Sequence, residues 1–189
     1  MIIHEVAQNT EDWHYLRLGR VGGSECAPLL VNGQNQTGLG TGAVTLIVKN
    51  VSDLITGELP DNYSSDKMDA GKDNEPLARK RYESINFTTV HEVGYISKGE
   101  YLGYSPDGLV SEDGLIEIKC PSGPEFVRYS LAHYKAQEKV SVIKKQYLAQ
   151  MNWGMWITGR KWCDFVVYNP DFPRDIIVTR VFPDPGMQA

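Results

Sequence analysis

The chain has 189 residues, of which 41% are hydrophobic and 23% charged, with a net charge of −5 at pH 7. That length suits one domain with a real core, so residues 1–189 are expected to form a single unit. The proportions are those of a soluble globular protein: no apolar run approaches a membrane span, no basic-then-apolar leader opens the sequence, and the acidic balance argues against a nonspecific basic coat for nucleic acid.

Cys26, Cys120 and Cys163 are odd in number and widely spaced, which fits neither a disulfide framework nor a CxxC metal site. The four histidines form no HxxxH pair. A cytoplasmic protein is the simplest expectation. Arg79-Lys80-Arg81, Lys144-Lys145 and Arg160-Lys161 are local basic clusters, either facing phosphates or lying on solvated faces.

In chain order, Trp13 to Gly23 leads into a short helix at Ser24-Glu25-Cys26-Ala27-Pro28-Leu29-Leu30, with Ser24 as its N-cap. Residues 32–42, rich in Gly, Asn, Gln and Thr, are expected to be a mobile loop. Val44, Ile47, Val51, Leu54 and Ile55 recur at helical spacing and predict an amphipathic helix over 43–56, ended by Gly57. Residues 66–84 predict one helix, or two broken near Pro76, which fits the first turn of a helix capped by Asn74 better than a helix interior. That reading places Glu75 at a helix start, where the dipole favours a carboxylate.

Strands are predicted at 86–96, 101–110 and 115–120, helices at 124–134 and 139–157, and closing strands at 163–169 and 175–182. Helices, an antiparallel meander, helices and further strands make an α/β chain with a mixed sheet. On the helix over 139–157, Ile143, Tyr147, Met151 and Gly154 form an apolar stripe with Gln150 in its middle. A buried amide needs a partner: a backbone carbonyl, a site carboxylate or a substrate phosphate.

The most informative stretch is 104–120. Two short apolar runs flank Ser111-Glu112-Asp113-Gly114, the pattern of a β-hairpin. Pairing symmetric about Glu112 sets Asp107 across from Glu117. Alternation then turns Asp107, Glu117 and Lys119 to one face, and Val110, Ile116, Ile118 and Cys120 to the other. Two carboxylates 4 Å apart repel by roughly 4 kcal/mol at an effective dielectric near 20. A divalent cation removes that cost, and the lysine can hold or deprotonate a water beside it. Such a site hydrolyses phosphodiesters.

The chain resembles the lambda-type phage exonucleases, or YqaJ-like viral recombinase nucleases, of the PD-(D/E)xK superfamily. The resemblance runs through Trp13-His14-Tyr15-Leu16-Arg17-Leu18-Gly19 to Ser24-Glu25; Gly71-Lys72 to Asn74-Glu75 and Ala78-Arg79; Ser105-Pro106-Asp107-Gly108-Leu109; Glu117-Ile118-Lys119-Cys120-Pro121; and Tyr147-Leu148-Ala149-Gln150-Met151 to Met155-Trp156-Ile157-Thr158. A lone PD…ExK pattern is weak, but five blocks in order are specific.

The resemblance implies a restriction-endonuclease-like core, a central mixed sheet flanked by helices. It also implies Mg²⁺, with Mn²⁺ as substitute, held by Glu75, Asp107, Glu117 and the Ile118 carbonyl. Lys119 would activate or stabilise, and Gln150 would orient the site. Arg17, Ser24 and Ser105 match positions that grip a 5′-terminal phosphate. The implied activity is 5′→3′ digestion of double-stranded DNA to leave 3′ overhangs, by a ring-shaped trimer working with a single-strand annealing protein. Two departures stand out: no longer helical tail follows the strand through Val181, and residues 32–42 are unusually glycine-rich. The rival expectations are an endonuclease on the same core and a catalytically silent DNA-binding module.

Overall fold

The computed structural model describes residues 1–34, 38–59 and 66–188, without the side chains of 66–73 and 188. Within these lie helices α1 (Glu11–Arg17), α2 (Thr41–Thr56), α3 (Asp66–Asn86), α4 (Gly123–Lys135), α5 (Lys145–Thr158) and α6 (Pro185–Gln188). The strands are β1 (Ile2–His4), β2 (Val90–His91), β3 (Tyr95–Lys98), β4 (Leu102–Tyr104), β5 (Gly108–Val110), β6 (Gly114–Lys119), β7 (Trp162–Tyr168) and β8 (Ile176–Val181). No helix among the described residues is long and apolar enough to cross a membrane. All three cysteines are free.

A five-stranded sheet runs β2-β5-β6-β7-β8, and a three-stranded sheet runs β1-β3-β4. The β6–β7 pair is parallel and every other pair antiparallel, so the central sheet is mixed, as expected. Alternation along β5 and β6 splits the core in two. Val110, Ile116 and Ile118 pack with Ala78 and Tyr82 of α3, while Leu109 and Leu115 pack with Met151 and Met155 of α5. The hairpin therefore sits between α3 and α5.

The predicted strand over 101–110 is two strands in different sheets. Pro106 offers no N–H to a ladder, so pairing stops at Tyr104 and resumes at Gly108. The predicted strand over 86–96 likewise starts late. α3 runs to Asn86, Phe87 turns the chain at φ 51, and β2 is followed by a change of sheet at Gly94. A Cβ on Gly94 would lie 1.8 Å from the Val6 carbonyl oxygen, a separation only glycine permits.

Three helix expectations are corrected. α3 continues through Pro76 rather than starting there, so Asn74 is not a cap and Glu75 lies inside the helix. The Lys72 carbonyl then loses its i+4 donor, a cost the flanking turns absorb. The predicted helix over 139–157 splits: a 3₁₀ turn at Lys139–Val142 precedes extended Ile143, whose buried side chain anchors the break, and α5 starts at Lys145. On α2 the predicted stripe faces outward: Val44, Ile47, Val51, Leu54 and Ile55 are exposed, and the helix packs through Ala43, Leu46 and Asn50. The loop expected over 32–42 forms an antiparallel bridge between Asn32 and Leu39 before α2 begins.

α5 approaches β4 most closely at Gly154, where a Cβ would meet the Tyr104 ring at 2.5 Å. Gly154→Ala is expected to destabilise the protein by about 1–3 kcal/mol, despite alanine's better helix propensity, because the Tyr104 ring is fully enclosed. Urea unfolding of the variant beside wild type measures this.

Candidate active site

β5 and β6 pair Gly108 with Ile116, Leu109 with Leu115 and Val110 with Gly114. This register is symmetric about Glu112, and one step further it sets Asp107 across from Glu117. The turn is pinned from outside: Arg160 Nη1 donates to the carbonyls of Val110, Ser111 and Gly114 at 3.3, 2.9 and 2.7 Å. Lys161 Nζ meets Asp113 at 2.9 Å. The Arg160-Lys161 cluster thus secures the hairpin.

Glu117 is the most constrained group. It sits on the middle strand of the sheet with 0% exposure. Its Oε1 accepts from Lys119 Nζ at 2.5 Å, while its Oε2 is buried without a partner. Asp107, half-buried, accepts from the Ile118 N–H through Oδ2 at 2.6 Å. This side chain supplies the bond that the ladder lacks where β5 has ended. In an extended strand the N–H and C=O of one residue leave on the same edge, so the Ile118 carbonyl also faces the Asp107 side.

Glu75 reaches the site from α3, where Arg79, one turn on, holds its Oε1 at 2.8 Å. The same guanidinium donates to the Asp107 carbonyl at 3.2 Å and pairs with Glu92 at 2.9 Å. Arg79 is neither solvated nor turned to a phosphate. It is buried and ties the two acid-bearing segments together.

The electrostatics record this crowding. Burial pushes the Glu117 carboxyl up to about 7; Lys119 opposes the shift, and Asp107 and Glu75 add to it. Glu75 is likewise pushed up to about 7, first by burial and then by Asp107, against Arg79 and Lys119. Burial alone would lower the Lys119 ammonium, but Glu117 and Asp107 outweigh it and hold the charged form above its ordinary range. Lys119 also stands 5.2 Å from the centre of the Tyr147 ring. Among the described residues, no three His, Cys, Asp or Glu side chains converge closely enough to make a ready metal cage.

Arg17 and Ser105 come together beside this hairpin. Trp13 Nε1 donates to Ser105 Oγ and to the Gly94 carbonyl, each at 3.0 Å, and the Arg17 guanidinium lies over the Trp13 ring at 4.2 Å. Arg17 Nη1 reaches Ser105 Oγ at 3.5 Å. Burial lowers the Arg17 pKa, with Glu25 acting against it.

Ser24 is not a helix N-cap. The Gly22–Glu25 turn closes with Glu25 N–H on the Gly22 carbonyl at 3.1 Å, and the 3₁₀ helix starts only at Ala27, with Cys26 at its N-cap and no side-chain capping bond. The exposed Ser24 instead lines a cleft of about 1070 Å³ shared with Glu75, Lys119 and Gln150. Gln150 is half-buried on that wall, next to Gly23, and its amide has no hydrogen bond to a described residue. Of the expected residues, Asp107, Glu117, Ile118 and Lys119 meet on the hairpin and Glu75 is close enough to feel Asp107 and Lys119, Arg17 and Ser105 meet each other beside Asp107, and Ser24 and Gln150 line the cleft. Sequence reasoning missed the supporting roles of Trp13, Arg79 and Tyr147. The i,i+4 spacing of Glu75 and Arg79 was the one available signal.

A model of the YqaJ-like viral recombinase domain matches residues 12–161. The alkaline exonuclease LHK-Exo from Laribacter hongkongensis is 32% identical, with a TM-score of 0.73, over 93% of this chain and 83% of that one. Its complex with dAMP gives a TM-score of 0.76 at the same 32% identity, over 94% and 85%. A phage related exonuclease from Haemophilus somnus 129PT, 17% identical over 89% and 86% with a TM-score of 0.65, shares the fold. A search of curated proteins finds no sequence match. The mixed sheet flanked by helices is the restriction-endonuclease-like core of these exonucleases, and the chain belongs to the YqaJ-like viral recombinase family.

Proposed function

We propose that the chain is a metal-dependent 5′→3′ exonuclease that degrades double-stranded DNA from 5′-phosphorylated ends and leaves 3′ overhangs for recombination by strand annealing. The observation that carries this reading is the junction of two sites. Lys119 of the hairpin lines a cleft with Glu75 and bonds Glu117, while Arg17 meets Ser105, only two residues from Asp107. The similarity to LHK-Exo supports the exonuclease class.

Glu75, Asp107, Glu117 and the Ile118 carbonyl would hold the divalent cation. The donors are all oxygen, one Glu117 oxygen is buried and unpartnered, and two of the carboxylates are crowded by their neighbours; each feature suits Mg²⁺ or Mn²⁺. The bound ion supplies Lewis-acid polarisation of the scissile phosphate and a more acidic water. Lys119, as an ammonium, orients the attacking water and screens charge gathering on the phosphorane. Gln150 directs its unpaired amide at substrate in the cleft. Arg17 forks onto the terminal phosphate, with Ser105 and Ser24 as hydroxyl donors. In this reading residues 1–189 act as one nuclease domain in the host cytoplasm, assemble as a trimer around DNA, and pass the overhang to a single-strand annealing protein.

Linear 5′-phosphorylated duplex with Mg²⁺ should be consumed while a covalently closed circle survives; loss of the circle would identify an endonuclease instead. Lys119→Ala is expected to slow digestion roughly 100-fold or more while DNA binding in a gel shift persists. A variant that digests like wild type would remove Lys119 from the chemistry.

Arg17→Ala should lower the rate on 5′-phosphorylated ends by roughly 10–100-fold and on 5′-hydroxyl ends far less. Equal losses on both ends would make Arg17 only a support for Trp13 and Ser105.

Metal and pH should be coupled in stability. Carboxyls held at about 7 when folded, against 4.5 ordinarily, bind protons more tightly in the folded chain. Without metal, stability should therefore fall as pH rises from about 4.5 to about 7. Added Mg²⁺ should recover much of the loss at the alkaline end, and Glu117→Gln should flatten the slope. Thermal melts in EDTA and in Mg²⁺ across this range test it; a metal-free stability that rises through the window would contradict it.

A further inference from the structure

Across α4 from the cleft, β8 forms one border of the central sheet, and it is an unusual border. Exposed sheet edges are normally short, charged, interrupted by proline, or covered, because their free N–H and C=O groups template pairing with other chains. β8 reads Ile-Ile-Val-Thr-Arg-Val, with its one charge, Arg180, near the far end.

The register shows which main-chain groups are free. Asn169 N–H donates to the Asp175 carbonyl at 2.9 Å, which makes 169/175 a hydrogen-bonded pair of the antiparallel β7–β8 ladder. Hydrogen-bonded pairs recur every second residue, so Ile177, Thr179 and Val181 point their main-chain groups at β7. Ile176 and Val178 point theirs outward, and no described residue bonds to them on that side.

This free edge opens into a groove of about 690 Å³ between β8 and α4. Ile176, Ile177 and Val178 all border it, although consecutive strand residues face opposite sides; the groove therefore exposes the strand edge itself. Its other wall carries Phe126, Leu131, Tyr134 and Phe172, with Leu131 and Tyr134 largely exposed. The rim is basic. Arg174 lines the groove together with Lys139, whose ammonium caps the carbonyls of His133, Tyr134 and Ala136 at the end of α4, and no acid is among the described lining residues, on a chain whose net charge is −5. His133 feels both of these charges and stays below its ordinary pKa, first through burial and then through them.

We propose that the β8–α4 groove is a docking site for an extended segment of a partner protein, which adds as a strand to β8, seats alternate apolar side chains in the groove and sets acidic residues against Lys139 and Arg174. The unpaired N–H and C=O groups of Ile176 and Val178 specify a strand, and the basic rim specifies acids. The same rim opposes pairing of β8 with β8 of a second copy, which would bring Lys139 and Arg174 together with their counterparts. This inference is independent of the nuclease chemistry.

The test uses the full chain and a short labelled peptide alternating glutamate with valine, beside a control alternating lysine with valine. Amide exchange of Ile176 and Val178 should be fast in the free protein and slow with the acidic peptide. Fluorescence polarisation should show binding of the acidic peptide only. Val178→Pro removes one outward N–H without touching the β7 ladder and should weaken binding by about tenfold. If that variant melts early, Arg174→Glu, a surface change, decides the matter: it should weaken the acidic peptide and leave DNA digestion at the wild-type rate. Equal binding of the lysine peptide, no protection of the two amides, or insensitivity to Arg174→Glu would overturn the proposal. Concentration-dependent protection without peptide would assign the edge to a second copy. Displacement of the peptide by an oligothymidylate that binds the groove more tightly would assign it to single-stranded DNA.

Discussion

A carboxylate with no solvent exposure on the middle strand of a sheet is the constraint around which this molecule is arranged. Glu117 shares its face with Leu115, and its neighbours on the β7 and β5 sides are Phe165 and Asp107, the residue before β5. Such a group is held only if something compensates the lost hydration. The compensation is partial: one oxygen has Lys119 and the other has nothing. The neighbouring acids make matters worse, because Asp107 and Glu75 both disfavour its ionised form. The same balance governs Glu75, where Arg79 plays the part of Lys119. Two protein cations, Lys119 and Arg79, thus stand against Glu75, Asp107 and Glu117, and Arg79 is shared with Glu92 as well. In the proposed reading, a divalent cation supplies the positive charge this arrangement lacks.

The second organising feature is the break between β4 and β5. Tyr104 ends one sheet and Gly108 begins the other, so Ser105, Pro106 and Asp107 cross between them. Ser105 is held by the Trp13 indole and reached by Arg17, and Asp107 is held by the Ile118 N–H. Because only Pro106 separates them, whatever fixes the Arg17–Ser105 side also fixes the acid. Arg79 completes the brace by taking the Asp107 carbonyl from the opposite flank. In the proposed reading, the distance between terminal phosphate and cut bond is then set by a three-residue strap rather than by movable loops.

Much of this was legible in the sequence, and for a consistent reason. The hairpin register, the split of its side chains between two faces, and the closing strands followed from alternation and turn chemistry, which are local. What failed was whatever depended on partners distant in sequence. Nothing near Val44, Ile47 or Val51 says which side of α2 faces the core; Ala43, Leu46 and Asn50 do so only because of the 3₁₀ segment packed beside them. Pro76 is tolerated within α3 because tertiary packing of Ala78, Arg79 and Tyr82 holds the helix beyond it. Ser24 looked like a cap because the residue type is right, but Gly22 and Gly23 close a turn there first. The candidate site residues came from the hairpin pattern and from the family resemblance. The residues that hold them act mostly across more than twenty positions, Trp13 on Ser105 and Arg79 on the Asp107 carbonyl, and only the i,i+4 pairing of Arg79 with Glu75 shows in a local window.

The distribution of basic residues bears on how an acidic chain can handle DNA at all. Arg81 is bound to Asp175, Arg160 to the hairpin carbonyls, Lys161 to Asp113 and Arg180 to buried Asp164, so these cations maintain the fold and contribute little net field outside it. Arg128 and Lys144 differ, for both line the cleft that also holds Lys119. The cleft thus sets Arg128, Lys144 and Lys119 beside the acids Glu75 and Glu125. In the proposed reading, a net charge of −5 disfavours nonspecific coating by duplex and leaves the cations of the cleft as the place where an end would engage.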